Sequence, residues 1–217
     1  MDVFSAMSDR QSARAYLSKP VKRADIEEIF NYAGQAPSAI NLQPWEYVVV
    51  YGEEKNRLGQ RLKKAQAESK VSCGPGTENP LPDRFKNRSR QASAAMAPKI
   101  AEMGKEFNPF VEEGSCSFYG APIAIIVTVD RIFPKIRYLD VGLSVSYLLL
   151  AAQAKGLATC PIGLISAYAQ DIAEALDIPS NKDVILGIAL GYADPQSPIN
   201  QFKTGRENLD AYLRWYE

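Results

Sequence analysis

Three residues near the start of the sequence, Arg10, Ser12 and Arg14, have types and spacing that suit anion binding. In an extended backbone alternate side chains point the same way, so two guanidinium groups would flank one hydroxyl. Such a set can hold several oxygens of a phosphate monoester through charge-assisted hydrogen bonds. On spacing alone, a solvated basic segment is the favoured alternative. Lys203 and Arg206 add two cations that can reach the same phosphate or form a basic surface turn.

A second stretch, residues 36–45, is a proline-restrained loop with polar side chains. Pro37 and Pro44 fix the backbone near its ends, and Ser38, Asn41 and Gln43 offer donors and acceptors between them. A restrained polar loop suits the edge of a flat heterocycle. The alternative is a turn in which these side chains bond only their own backbone.

A third stretch runs from Thr159 to Gly163, at the end of a predicted strand. Pro161 lacks a backbone donor, and Gly163 lets a ligand approach the main chain closely. A main-chain N–H would then lie beside a planar ring, although an ordinary exit from strand to loop explains the residues equally well. We expect Cys160 to be a small buried hydrophobic side chain and not a redox thiol.

The overall composition excludes several classes of enzyme. The 217 residues include no histidine, which removes Ser-His-Asp triads, Cys-His pairs and histidine zinc sites. The three cysteines have no metal-ligand spacing, so we expect reduced thiols and a cytoplasmic protein. Basic and acidic residues number 25 each, which gives no overall field for nucleic acid or a membrane. Because neither a Gly-x-Gly-x-x-Gly turn nor a P-loop occurs, we expect another kind of bound cofactor to carry the chemistry.

The elements that must position these residues alternate between helix and strand. Predicted helices cover residues 3–7, 26–35 (capped by Asp25), 53–70, 138–155 and 170–176, and predicted strands cover 45–51, 123–129, 159–165 and 184–190. Residues 72–83 form a predicted loop, and 84–114 are polar, helical in part and interrupted by Pro98, Gly104 and Pro109. This pattern indicates an α+β fold with helices packed on four or five strands. We expect one domain over 1–217 with an insertion at about 72–117, the alternative being a linker between two domains.

Two apolar segments need a surface on which to bury. Helix 138–155 is apolar around most of its circumference, so it belongs in the core or against a second subunit. The tail at 207–217 carries Leu209, Tyr212, Leu213, Trp215 and Tyr216. Large apolar groups at a chain end also favour contact with another surface.

Taken in order, these stretches resemble the nitroreductase family of flavoproteins. The motifs are R-x-S-x-R, A-P-S-x-x-N-x-Q-P-W at 36–45, A-P-x-x-I-x-V at 121–127, an aspartate-led helix from 140, Gly156-Leu157, Pro161-Ile162-Gly163, Leu190-Gly191-Tyr192 and a basic pair. The likeness covers nearly the whole chain, and its most specific part is Pro37 to Trp45. It implies a nitroreductase-like α+β fold with a mostly antiparallel sheet.

The resemblance also implies FMN held in a groove at the interface of a homodimer. The phosphate, ribityl chain and N1 side of the ring would be held by Arg10, Ser12, Arg14, Lys203 and Arg206. The partner chain would supply Pro37, Ser38, Ala39 and Asn41, and the ring would lie along Pro161, Ile162 and Gly163, with the Gly163 N–H near N5. The apolar helix would lie in the dimer interface, and the C-terminal tail would be swapped onto the neighbour.

The implied activity is a ping-pong reaction with two steps. NADH or NADPH first gives hydride to flavin N5, and the reduced flavin then passes the hydride to a nitroaromatic, a quinone or an activated enone. Phe107, Phe110, Phe118 and Tyr119 are candidates for the pocket lining, with core packing as the alternative for each. Segment 72–117 would influence substrate choice, and contact of Asn87 or Arg88 with the flavin is left open. Other functions on this scaffold are a flavin-dependent dehalogenase or oxidase, and a flavin-binding sensor or storage dimer without turnover.

Overall fold

The computed structural model describes residues 1–69, 71 and 79–217, so most of the predicted loop 72–83 lies outside the described residues. Four strands form one sheet in the order β1-β2-β4-β3, and every neighbouring pair is antiparallel. The strands are β1 (Trp45–Tyr51), β2 (Ile123–Asp130), β3 (Ala158–Ile162) and β4 (Lys182–Gly191). This confirms the predicted α+β class and the mostly antiparallel sheet.

The helices pack on both faces of this sheet. They are α1 (Val3–Asp9), α2 (Arg23–Ala33), α3 (Gly52–Ser69), α4 (Asp83–Glu102), α5 (Phe107–Cys116), α6 (Tyr138–Ala154) and α7 (Ala169–Ala175). Among the described residues, no helix is long and apolar enough to cross a membrane.

The central strand β2 is buried on both faces, which explains its unbroken apolar run. Ala124 and Ile126 join the cluster that α3 and α7 complete, whereas Ile125 and Val127 join the cluster of α2 and α6. Alternate side chains of a strand point to opposite faces, so one strand serves two cores. The result is three layers, with the sheet in the middle.

Three local predictions are corrected. Helix α2 begins at Arg23, and Lys22 at its N-cap makes no side-chain capping bond. Asp25 therefore lies within the first turn, where its carboxylate pairs with Lys155 at 3.3 Å. Helix α4 continues through Pro98, which lies near its C-terminal end.

The third correction concerns the predicted strand 159–165, which ends at Ile162. Gly163 takes helical dihedral angles, and a 3₁₀ segment runs over Leu164–Tyr168. Ile165 and Tyr168 turn back into the core beside β4, so their burial, and not continued pairing, explains the apolar residues after Ile162. The chain thus leaves the sheet at Gly163.

We expect Gly187→Ala to destabilise the fold, because β4 passes close to this 3₁₀ segment. An added Cβ would overlap the Ile165 Cδ1 and lie 3.1 Å from the Phe118 Cε1, and both side chains are fully buried. Overpacking of this kind costs about 1–3 kcal/mol of the free energy of unfolding, measured by urea denaturation. The control is Gly34→Ala, whose Cβ meets Asn31 O at an ordinary 3.5 Å. Equal urea midpoints for the two variants would contradict the packing argument.

Candidate functional site

The predicted R-x-S-x-R segment is extended and lies beside β3. Ser12 forms a parallel bridge with Thr159, and the Ala13 N–H donates to Thr159 O at 3.0 Å. Ala13 is buried, so the alternation of an extended chain directs Ser12 and Arg14 away from it. The predicted extended backbone is therefore present, and the sheet edge at β3 holds it in place.

Asn200 holds the segment from the other side. Its Oδ1 accepts from the Arg14 N–H at 2.9 Å, and its Nδ2 donates to Ala15 O at 2.8 Å and to Asp194 O at 2.9 Å. Asn200 is buried, so these bonds satisfy both ends of its amide. The amide fastens the N-terminal segment to the loop that leads to Lys203 and Arg206.

The five predicted phosphate ligands line one cavity of about 300 Å³. Its wall consists of Met7, Ser8, Arg10, Gln11, Ser12, Arg14, Phe202, Lys203, Thr204 and Arg206. Four cations around so small a space favour an anion such as a phosphate. The Gln11 Oε1 is buried and has no hydrogen-bond partner among the described residues. A hydroxyl donor of a bound molecule or a water would satisfy it.

A second cavity of about 710 Å³ adjoins the first at Arg14, which lines both. Its floor is the exit of β3, with Pro161, Ile162 and Gly163. An atom added at the Gly163 Cα would meet nothing within 4 Å, so the space beside this glycine is open. The other walls come from α4, α5 and Tyr119, at Leu81, Ser89, Ser93, Met96, Phe107, Asn108, Val111, Glu112 and Ser115.

Arg14 is held at this junction by two aromatic rings. Its guanidinium carbon lies 5.8 Å from the centroid of Tyr119 and 6.0 Å from that of Phe202. Cation–π contacts of this kind fix a guanidinium without using all of its donors. Its Nη1 donates to Ser12 O at 3.3 Å, within the same segment.

The thiol of Cys160 and the hydroxyl of Tyr119, both near Arg14, have raised pKa values. Burial raises the pKa of the Cys160 thiol, and the nearby Arg14 charge only partly offsets this. Burial likewise raises the pKa of the Tyr119 hydroxyl, which lies 3.3 Å from the Ser115 Oγ. Cys160 is buried, as predicted, and a thiol with a raised pKa is a poor nucleophile. The site thus offers positive charge, and Cys160 and Tyr119 are not poised as bases.

The predicted loop residues Pro37, Ser38, Ala39 and Asn41 line neither cavity of their own chain. They lie beside the start of α6, where the Ala39 N–H donates to Asp140 Oδ2 at 3.4 Å. Ile40 and Asn41 have positive φ, 44° and 61°, and Ile40 is 91% exposed. A β-branched residue with positive φ costs energy, and such strain is common at functional sites.

The candidate pocket aromatics divide into two groups. Phe107 and Tyr119 line the larger cavity, whereas Phe118 is fully buried in the core and Phe110 packs in a small cluster with Ile100 and Ile199. Neither Asn87 nor Arg88 lines either of the two cavities.

Asn200, Gln11 and Phe202 were not identified from the sequence. No motif marks these residues, because their roles depend on contacts with residues distant in sequence.

A small cavity lined by four cations shares Arg14 with a larger cavity, and this arrangement suits a ligand that joins a phosphate to a larger group. The sequence matches the nitroreductase family over residues 7–192. The chain belongs to this family and is an oxidoreductase of the nitroreductase type.

Several relatives match this chain over most of their lengths. The chain is 29% identical over 220 residues to a 4-nitrobenzoate reductase of Pseudomonas putida, which covers 99% of this chain and 95% of the relative. It is 30% identical to nitroreductase NfnB of Mycolicibacterium smegmatis, over 95% of this chain and 89% of the relative. The FMN- and NADPH-dependent NfnB of sphigopyxis sp. strain HMH superposes with a TM-score of 0.90 at 25% identity, covering all of both chains. The FMN-dependent NfnB from Mycobacterium smegmatis in complex with NADPH gives 0.88 at 28%, over 99% and 97% of the chains.

Proposed function

We propose that this chain is an FMN-dependent oxidoreductase that transfers hydride from NADH or NADPH to small electrophilic acceptors such as nitroaromatics or quinones. The observation that carries the proposal is the pair of cavities that meet at Arg14. Relatives named 4-nitrobenzoate reductase and structural neighbours named FMN- and NADPH-dependent nitroreductase support it.

The residues of this chain fit FMN. Arg10, Ser12, Arg14, Lys203 and Arg206 would hold the phosphate end, and Pro161, Ile162 and Gly163 would lie along the ring, because each set lines the cavity of matching size. The unpaired Gln11 Oε1 is suited to accept from a hydroxyl of the ribityl chain. When bound, FMN supplies an atom that accepts and donates hydride, chemistry that no side chain provides.

The protein's own contribution is binding and electrostatics. Arg14 supplies a fixed positive charge at the junction of the cavities, where it favours added negative charge on a bound ring. Tyr119 and Phe202 keep this charge in place, so little reorganisation is needed during the reaction. The chain contains no histidine, which is consistent with stabilisation by charge and not by a protein base.

We also propose that the protein works as a homodimer. Val3, Phe4 and Met7 of α1 and Leu139, Leu143 and Tyr147 of α6 are exposed apolar side chains on two helices that pack together. The tail exposes Leu209, Tyr212, Leu213, Trp215 and Tyr216. Apolar surfaces of this extent favour a protein partner. A second copy, with the end of its tail beyond Tyr212 swapped onto the neighbour, would cover these surfaces and bring its residues 37–41 toward the flavin.

The organisation of the chain follows the same proposal. Residues 1–217 would form one domain, because β1 and β2 flank segment 72–117 and are hydrogen-bonded neighbours. The described part of that segment walls the larger cavity through α4 and α5, where it would select the substrate. A cytoplasmic location stays a prediction from the reduced cysteines.

We expect Gly163→Val to weaken flavin binding without unfolding the protein. The residue has φ −72° and ψ −31°, which valine tolerates, and the new side chain would point into open space beside the proposed ring position. A steric clash with a bound ring should cost about 1–3 kcal/mol, measured by titration of FMN fluorescence. Gly163→Ala should fall between wild type and Gly163→Val. Equal FMN affinity in all three proteins would contradict the proposed position of the ring beside Gly163.

The direct test of the proposed function is to purify the protein, record its visible spectrum and identify the released flavin. NADH and NADPH oxidation is then followed with a quinone and with 4-nitrobenzoate as acceptors. A yellow protein that releases FMN and oxidises either nucleotide supports the proposal. FMN without turnover on any acceptor would favour a binding or storage role, and a colourless protein that gains no absorption with FMN would end the proposal.

A further inference from the structure

A groove of about 850 Å³ lies between α4 and residues 204–212, beside the candidate flavin site. Arg84 and Arg88 line it from α4, and Arg206 lines it from the facing loop. One carboxylate, that of Glu207, stands against these three guanidinium groups. In a chain with equal numbers of acidic and basic residues this is a local excess of positive charge, which predicts an anionic ligand.

The two arginines of α4 keep most of their donors available. Arg88 donates to Glu207 Oε1 through its Nε at 2.8 Å, which leaves its terminal amino groups. Arg84 forms no ion pair with a described residue, and its guanidinium lies 4.7 Å from the Phe85 ring centroid. Arg88 lies 5.4 Å from the same centroid. Two guanidinium groups four residues apart, with an aromatic ring between them, suit a phosphate monoester joined to a planar base.

The groove is next to both cavities of the candidate flavin site. It shares Thr204 and Arg206 with the phosphate cavity. Helix α4 is the wall between the groove and the ring cavity, since Ser89 and Ser93 face the ring cavity while Arg88 and Ala92 face the groove. A long ligand with one end over the ring could reach the groove past the N-terminal end of α4, where Leu81 lines the ring cavity and Arg84 lines the groove.

We propose that this groove binds the phosphorylated ribose of NADPH, with Arg84 and Arg88 on the 2′-phosphate and Phe85 against the adenine. The inference rests on the proposed function and adds a preference for NADPH. A phosphate monoester carries a charge of about −1.5 to −2 near neutral pH, whereas NADH has an uncharged hydroxyl at the same position. The two arginines therefore contribute to NADPH binding and little to NADH binding.

The test compares kcat/KM for NADPH and NADH in wild type, Arg84→Ala and Arg88→Ala. Each variant should lose about tenfold or more with NADPH, mainly through a higher KM, because one charge-assisted contact is removed. With NADH the change should stay within about twofold, and flavin content should not change. The matched control is Arg90→Ala, which removes the same charge from α4 at a residue that bonds Asn87 and does not line the groove.

Calorimetry gives a readout that does not depend on turnover. Wild-type holoprotein should bind 2′,5′-ADP more tightly than 5′-AMP, and Arg84→Ala should bind the two equally. An unchanged ratio of NADPH to NADH efficiency in both arginine variants would overturn the inference. The inference would also be overturned if the arginine variants raised KM for 4-nitrobenzoate but not for nitrobenzene or NADPH. That result would assign the groove to an acidic acceptor. A protein that binds 2′,5′-ADP through Arg84 but oxidises neither nucleotide would support the groove and overturn the proposed function.

Discussion

Arg14→Ala is expected to give a folded protein that loses its flavin during purification. Arg14 is the residue that lines both the phosphate cavity and the ring cavity, so its removal affects both ends of the proposed ligand. A hydrogen bond to a charged group contributes about 1.5–3 kcal/mol. Its loss should raise the dissociation constant of FMN roughly 10- to 150-fold. The measurement is the ratio of flavin absorbance to protein absorbance, followed by titration of the apoprotein with FMN.

Two further variants make this result specific. Arg23→Ala removes the same charge from an exposed ion pair with Glu27 on α2, and it should keep its full flavin content. Arg14→Lys keeps the charge but loses the planar fork between Tyr119 and Phe202, so its affinity should lie between wild type and Arg14→Ala. An Arg14→Ala protein that purifies as yellow as wild type would show that the phosphate lies elsewhere.

Leu139→Asp combined with Leu143→Asp is expected to convert the proposed dimer into a monomer with little bound flavin. The two side chains are 65% and 42% exposed on the first two turns of α6, and that surface is next to the strained loop at Ile40. Burying two unpaired carboxylates in an interface would cost several kcal/mol of the free energy of dimerisation. A dimer of ordinary affinity would dissociate at that cost. Light scattering gives the mass, and the visible spectrum gives the flavin content of the same sample.

The control for this pair is Leu139→Met with Leu143→Met, which keeps the surface apolar. That protein should stay dimeric and yellow. Flavin lost together with dimerisation would support a contribution of residues 37–41 from the partner. A monomeric double-aspartate protein that retains its flavin would contradict that contribution, and an unchanged dimer would place the interface on another surface.

Much of the fold could be predicted because its signals are local. The predicted strand 45–51 matches β1 residue for residue, and the apolar run 123–129 differs from β2 only by Asp130. Both strands are runs of β-branched or aromatic residues bounded by turn residues, and this pattern is typical of a β-strand. The end of β3 could not be predicted, since Ile165 and Tyr168 are apolar in either structure and only their contacts with the core decide between strand and 3₁₀ segment.

The candidate site divides in a similar way. Arg10, Ser12 and Arg14 could be found because their charges and their spacing can be read directly from the sequence. Their extended backbone is explained by the bridge between Ser12 and Thr159. Asn200 could not be found, because it bonds Arg14 across 186 positions and has no motif of its own. Tyr119 was a candidate for the pocket lining, but its contact with Arg14 depends on a positive φ of 51° just before β2.

By itself, the sequence determined the chemistry that this protein can use: no histidine, scattered basic residues, and a strand exit marked by Pro161 and Gly163. Those properties depend on residue type and on spacing along the chain, which folding does not change. Only the tertiary structure decided which groups share a cavity, namely that Arg14 joins the two cavities while Arg84 and Arg88 face a separate groove. The physical reason is that a cavity is formed by packing between segments distant in sequence, and no local pattern encodes that packing.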